Sequence, residues 1–320
     1  MIVVTGGAGF IGSHLVDTLV ERGHAVKVLD NLCRGCKQNV HPLASLHYTD
    51  LTGVLPYTLA RHLRDADAVF HLAAKVTGIE YNRRNQMDMM QTNLKLNWNV
   101  AEAVRLAKPK LYVFVSTACV YPHNAPIPTP ESAADACNPE PTNWGYGVAK
   151  WVGEQQAKFL FQERGIPTMT VRFFNAFGPR DYYDPGTSHV VPALIHRAFN
   201  ATDTLEVWGS GEQTRVFVDA RDIAEVLVRL MDVDIASIAM PINIGHDWEV
   251  SIKQVAETIN HLVTEGGLTV EFDKSKPDGY PRRAADTTRL NLLIGHYPWT
   301  PFETTVLDMV NDYTERFDVP

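Results

Sequence analysis

Residues 1–12 read Met1-Ile-Val-Val-Thr-Gly-Gly-Ala-Gly-Phe-Ile-Gly12, and the next apolar stretch closes on Val28-Leu29-Asp30. Met1–Thr5 has the composition of a buried strand, Ile11–Arg22 has helical periodicity, and Ala25–Asp30 is a second strand. Between the first strand and the helix lie Gly6, Gly7, Gly9 and Gly12, and the last three satisfy G-x-G-x-x-G. Glycines there let a backbone come close to a pyrophosphate. The helix behind them offers N–H groups and the positive end of its dipole. A glycine turn alone is a common structural device; a strand before it and a helix after it are the context of a dinucleotide site. Asp30 follows Gly12 by 18 positions, close to the ~20 at which a carboxylate meets the cofactor ribose. Its charge repels a 2′-phosphate, which favours NAD over NADP. Asp50 ends the next apolar segment, where it can accept from the adenine amino group or merely cap Leu51-Thr52.

Outward from this stretch the pattern repeats. Asp67–Leu72, Leu111–Ser116 and Thr168–Phe173 are further strands; Thr92–Leu106 and Tyr146–Arg164 are helices. Short apolar strands separated by helices predict an α/β fold, a Rossmann-type doubly wound parallel sheet. Past Asn175 the pattern loosens, and Gly178-Pro179, Pro185-Gly186, Gly209, Gly211 and Pro277–Pro281 favour loops folding over a ligand. Asp219–Met231 reads as a helix and Ile242–Gly245 as a strand returning to the first unit. The division is therefore 1–174 as an NAD-binding domain, with 216–245 returning to it. A smaller C-terminal substrate-binding domain takes 175–215 and 246–320.

The chain has 320 residues, 45% of them hydrophobic, which is ample for a large core. Charged residues make up 21% and the net charge is −8, so nucleic acid is not an expected partner. A phosphorylated ligand must be held by a few local basic groups and backbone amides. No apolar run approaches the ~20 residues of a membrane span, and the N-terminus reads as a strand rather than a signal peptide. Four cysteines (Cys33, Cys36, Cys119, Cys137) are too few for a disulfide scaffold, which points to a cytoplasmic setting. Cys33-Arg-Gly-Cys36 lacks a second pair near it in sequence, and the histidines show no ligand spacing with carboxylates; no metal is expected.

Tyr146-Gly-Val-Ala-Lys150 places a phenol and an ammonium at i and i+4, on one helical face. A tyrosine is a poor base near its ordinary pKa of ~10. An adjacent lysine cation and the positive nicotinamide of NAD⁺ both favour the phenolate. The lysine can also hold the cofactor ribose. The pair opens the helix after Ser116-Thr117-Ala118, which lies at the carboxyl end of a strand, where open α/β sheets bind ligands. Thr117 or Ser116 can then hydrogen-bond a hydroxyl being oxidised.

With these residues in hand, the chain resembles the extended short-chain dehydrogenase/reductase superfamily, specifically its NAD-dependent nucleotide-sugar epimerases and dehydratases. The resemblance runs through Thr5–Gly12, Asp30-Asn31-Leu32, His71-Leu72-Ala73-Ala74, Ser116–Pro122, Tyr146–Lys150, Arg172-Phe-Phe-Asn175, Gly178-Pro179 and Trp208–Arg215. It implies NAD as cofactor, with Gly6, Gly9, Phe10, Ile11, Gly12, Asp30, Asn31, Asp50, Leu51, Ala73 and Lys150 against it. It implies Tyr146 as the base that oxidises carbon 4 of a nucleotide-diphosphate sugar, and a homodimer.

Within the superfamily, Ser116-Thr-Ala-Cys-Val-Tyr-Pro122 is most similar to GDP-mannose 3,5-epimerases and GDP-fucose synthases. The resemblance implies that Cys119 moves protons at carbons next to a sugar ketone, which a tuned thiolate can do; a small buried residue is the alternative. His189 matches the fucose synthases' histidine and is the candidate acid on the opposite ring face, or a phosphate ligand. The loop Lys75–Asn93 looks like those enzymes' substrate loop. Fucose synthases lack an acid like Asp30, so Asp30 points to a redox-neutral epimerase. Asn175 can donate to a phosphate, and Arg215 and Arg283 are the best diphosphate clamps, since guanidinium binds phosphate as a fork. Arg282 is undecided, Asp286 is a candidate to orient one arginine, and Trp208 stacks on a base or packs. A UDP-hexose 4-epimerase is the alternative enzyme. A catalytically silent NAD-sensing protein is the alternative of another class, and intact Tyr146 and Lys150 argue against it.

Overall fold

The structure is a computed structural model that describes residues 1–184, 186–234, 240–276 and 279–319; Pro185 and Pro277, both placed above in ligand-facing loops, lie outside the described residues. Strands β1 (Ile2–Thr5), β2 (Val26–Asp30), β3 (Ser45–Tyr48), β4 (Ala68–His71), β5 (Tyr112–Thr117) and β6 (Thr168–Phe173) form one sheet in the order 3-2-1-4-5-6. Ile242–Ile244 extends it beside β6. Every pairing is parallel. This is the doubly wound Rossmann order, with its crevice at the carboxyl ends of the strands.

The helices are α1 (Phe10–Glu21), α2 (Pro56–Leu63), α3 (Ile79–Arg84), α4 (Gln86–Ala107), α5 (Trp144–Arg164), α6 (Val190–Asn200) and α7 (Ala220–Leu230), followed by Ile252–Thr264, Thr288–Ile294 and Phe302–Phe317. Alternation along β1 divides the core between two layers. Ile2 and Val4 pack with Leu15 and Leu19 of α1 and Ile223 and Leu227 of α7. Val3 packs on the other face with Leu59 of α2, Val100 of α4 and Leu160 of α5. Each such side chain, once buried, contributes ~1.5–3 kcal/mol. A third core joins Leu194 of α6 and Ile259 and Met309 of the late helices to Leu205 and Val207.

The structure departs from the sequence reading in three places. Lys75–Asn93 is not an open loop: it contains α3 and the first turns of α4, broken only at Asn85. A tertiary bond holds the segment. Buried Asn93 accepts from Lys75 N at 3.0 Å and donates to Lys75 O at 3.0 Å. Strand β3 and helix α2 escaped notice because they are short and half-exposed. Beyond Asn175 the chain is more regular than its Pro/Gly content suggests, with α6 and two long late helices closing their own core.

One buried ion pair ties α5 to the sheet. Arg172 of β6 grips Glu154 of α5 through Nε (2.8 Å) and Nη2 (2.6 Å), both side chains being 3% exposed. Removing one partner strands the other charge away from water. Arg172→Ala is therefore expected to cost about 3–5 kcal/mol, measured by urea denaturation. A loss below ~1 kcal/mol would mean that water reaches Glu154.

Candidate active site

Gly6 leaves β1 with φ +73°, a conformation that L side chains rarely adopt, and a Cβ there would lie 2.7 Å from Ala73 N. A Cβ on Gly12 would sit 2.1 Å from Gly6 O. The turn is thus as tight as G-x-G-x-x-G implies. Gly9 caps α1 without a side-chain bond, so the N–H groups of Phe10, Ile11 and Gly12 have no intrahelical acceptor and face the crevice end of the sheet. Asp30 is buried at the end of β2; its carboxylate accepts from Ala8 N (3.0 Å) and Leu32 N (2.8 Å). The acid therefore braces the glycine turn as well as standing where a ribose would arrive. Asn31 forms a local turn by accepting from Cys33 N, and Leu51 is buried. Asp50 takes the capping alternative: it is exposed and binds Thr52 N (2.9 Å) and Oγ1 (2.8 Å).

Across the crevice, Tyr146 and Lys150 share the inner face of α5, both buried, with the Lys150 Nζ 6.0 Å from the Tyr146 ring centre. Lys150 donates to Val115 O at 2.8 Å. Thr117 closes β5, accepts from Cys119 N at 3.2 Å and hydrogen-bonds Tyr146. Cys119 sits beside Tyr146. The electrostatics differ from the sequence expectation. Burial pushes the Tyr146 phenol up, with Cys119 adding to the rise and Thr117 opposing it. Burial likewise pushes Lys150 down to about 7, with Glu154 opposing. No lysine cation lowers Tyr146 in the ligand-free chain, because the site disfavours charge on either group. Cys119 is raised by burial and by Glu140, against Arg283 and Thr117.

Several expected ligand residues have other partners. Ser116 is not free for a sugar hydroxyl: it is buried and donates to Glu154 at 2.5 Å, which leaves Thr117. Asn175 donates to Val216 O at 2.9 Å, a bond from the strand after β6 towards its neighbour. Arg283 turns inward to pair with buried Glu140 and lies beside Cys119. Arg215 Nη1 donates to the carbonyls of Thr214 and Tyr280 at 2.7 Å each, and burial, then Arg283, pushes it down to about 10. Arg282 pairs with Glu249 at 2.6 Å. Asp286 caps Thr288 N and orients no arginine there. Trp208 is exposed and bonds Glu206. His189 caps α6, half-exposed, with Nδ1 3.6 Å from Asp181. Burial opposes its protonation, but Asp181 outweighs that and raises its pKa. Arg34 opposes that rise.

The sequence reading missed Glu140, Asn143, Asn82 and Glu154. Two signals were available: Glu154 extends the Tyr146–Lys150 spacing by four more, and Glu140 lies between two prolines six positions before Tyr146.

Residues 2–245 match the model of the NAD dependent epimerase/dehydratase family. The chain belongs to this family. It is 31% identical to a UDP-N-acetyl-alpha-D-glucosaminuronate decarboxylase of Bacillus cytotoxicus, over 98% of this chain and 97% of that protein. It is 32% identical to a probable GDP-L-fucose synthase of Oryza sativa subsp. japonica, over 98% and 92%. GDP-mannose 3,5-epimerase 1 of Oryza sativa subsp. indica is 31% identical, over 94% and 77%. Among solved structures, a UDP-glucose 4-epimerase of Thermotoga maritima, with UDP-glucose, superposes with a TM-score of 0.84 at 26% identity, covering 99% of each chain.

Like its family, this epimerase/dehydratase takes NAD as cofactor. The residues fit it: the glycine turn leaves room only for backbone, the first N–H groups of α1 have no intrahelical acceptor, and Asp30 closes β2 against that turn.

Lys150 yields a pH test on the ligand-free protein. Its folded pKa of about 7 lies below the unfolded value of 10.5. Between these values the unfolded chain carries the extra proton, so this group's contribution makes stability rise with pH; below 7 the fold bears a buried charge. Lys150→Met should therefore raise Tm by several degrees at pH 6, with a smaller gain at pH 9, in thermal melts. A gain that grows with pH would contradict the burial argument.

Proposed function

We propose that this chain is an NAD-dependent nucleotide-sugar epimerase that works through a transient 4-keto sugar and inverts carbons beside the ketone, on a GDP-mannose-type substrate. The observation that supports it is the thiol of Cys119, set beside Thr117 and Tyr146 at the end of β5. NAD⁺, when bound, supplies a hydride acceptor and a fixed positive charge. Tyr146 takes the proton of the carbon 4 hydroxyl while Thr117 orients that hydroxyl. Lys150, anchored on Val115 O, reaches the cofactor ribose and favours the phenolate when charged. A carbon 4 ketone acidifies the neighbouring C–H bonds, and Cys119 removes one such proton to an enolate. Reprotonation from the other face needs a second acid, for which His189, whose protonated form Asp181 favours, is the candidate. Residues 1–174 with 216–245 hold the cofactor, and 175–215 with 246–320 hold the nucleotide sugar, with Arg215 at the diphosphate. The same proposal includes a cytoplasmic homodimer.

A second reading, a UDP-hexose 4-epimerase, is favoured by the likeness to the Thermotoga maritima UDP-glucose 4-epimerase. For that reaction Thr117, Tyr146 and Lys150 suffice.

The test incubates the protein with GDP-mannose, UDP-glucose and UDP-glucuronate in deuterated water, read by mass spectrometry and NMR. Deuterium at the carbons flanking carbon 4 of GDP-mannose is expected. Cys119→Ser should lower it roughly 100-fold, as for loss of a positioned base, while Tyr146→Phe should abolish all turnover. UDP-glucose converted without wash-in would establish the 4-epimerase, and carbon dioxide from UDP-glucuronate a decarboxylase. NAD bound tightly with no conversion would leave a sensing protein.

A further inference from the structure

The Pro139-Glu140-Pro141 segment packs where the end of β5 meets the first turn of α5. A Cβ on Gly147 would meet Cys119 O at 2.5 Å and Pro139 Cβ at 2.6 Å, so strand end, proline segment and α5 converge there with no spare room. The prolines restrict the segment to extended backbone, and Glu140 adopts φ −59°, ψ 143°. Its carboxylate is buried and both oxygens are taken: Oε1 accepts from Asn143 Nδ2, and Oε2 from Arg283 Nη2. Asn143 in turn accepts from Asn82 Nδ2 of α3 at 2.7 Å, and Thr77 donates to Asn82 Oδ1. A chain of polar groups, buried at Asn82, Asn143 and Glu140, thus runs from Thr77 to Arg283, which stands beside Cys119. A carboxylate fixed at both oxygens is an anchor, and the group it anchors is the guanidinium beside the sulfur.

We propose that Glu140 is a positioning residue for proton transfer at Cys119: it holds the Arg283 fork against the sulfur, so that this arginine serves the thiol rather than a diphosphate. The inference rests on the reading of Cys119 as the group that moves the carbon-bound proton. The thiol is faced by Thr117 at the end of β5, Tyr146 from α5, Glu140 ahead of it, and Tyr280 and Arg283 from the late segment. Among them Arg283 carries the cation that favours a thiolate, and Glu140 carries the anion that opposes it while keeping the cation in place. Glu140 and Arg283 together therefore set how readily Cys119 gives up its proton, and Asn143 and Asn82 set where that pair stands.

The test needs no substrate. The full-length chain is treated with iodoacetamide across pH 6–10, and alkylation is followed peptide by peptide, with Cys137 as internal reference. Glu140→Gln removes the opposing charge, and Cys119 should react roughly tenfold faster near neutral pH, a shift of about one pKa unit. Arg283→Lys keeps the charge pair, but a point charge cannot serve Glu140 and the sulfur together. Cys119 should then react several-fold more slowly. Rates at Cys119 within twofold of the unmodified chain in both variants would overturn the proposal, since a merely structural pair would not move them. If Glu140→Gln does not fold, Arg283→Lys decides alone. Exchange retained in Cys119→Ser would remove the proton-transfer reading without altering these rates. Unchanged rates with exchange lost in Cys119→Ser would remove only the role of Glu140.

Discussion

Glu154 and Arg172 meet where no water can reach them, and much of the reaction centre hangs from that contact. Glu154 stands one turn past Lys150 on α5, so gripping it from β6 sets the rotation of the helix and with it the direction of Tyr146 and Lys150. The same guanidinium reaches Tyr121 Oη (3.1 Å) and Glu131 O (2.6 Å). Tyr121 Oη donates to Asn243 Oδ1 at 2.5 Å, and Asn243 donates to Thr129 O and Asp286 O. A continuous polar path thus joins the cofactor-side helix to the late segment that carries Arg283. Every member is hydrogen-bonded, which is what makes a buried ionic network tolerable.

Burial has a second consequence at the site. In the ligand-free chain it disfavours the phenolate of Tyr146, the thiolate of Cys119 and the ammonium of Lys150 alike. The exceptions are charges held in pairs, Glu154 with Arg172 and Glu140 with Arg283. The proposed chemistry needs a charge to appear only when a cofactor cation and a diphosphate alter this balance. A low-dielectric site amplifies such a change. The two fixed pairs then act as reference points against which the mobile protons are placed.

Much of the first half was legible in the sequence because its physics is local. Strand, glycine turn and helix follow one another without interruption, and Gly6 and Gly12 are required by contacts within the turn and at Ala73. Tyr146 and Lys150 follow from helical spacing alone. Asp30 was located by its distance from Gly12, although its hold on Ala8 N was not visible. In the late half the helix at Ala220–Leu230 and the strand at Ile242–Ile244 were legible, whereas α6 and the helices after Ile244 were not, because glycines and prolines separate them and they close a core of their own.

By itself, then, the amino-acid sequence determined the Rossmann fold class, the cofactor class and the Tyr146–Lys150 pair, since each depends on periodicity or short-range spacing. Only the tertiary structure decided which polar side chains are free to act. Ser116 and Asn175 carry suitable groups, yet their partners lie 38 and 41 positions away, at Glu154 and Val216. Arg283 pairs with Glu140 across 143 positions. A side chain's chemistry is written in its identity, but its availability depends on which donor or acceptor the fold brings within 3 Å or so, and spacing along the chain carries no record of that.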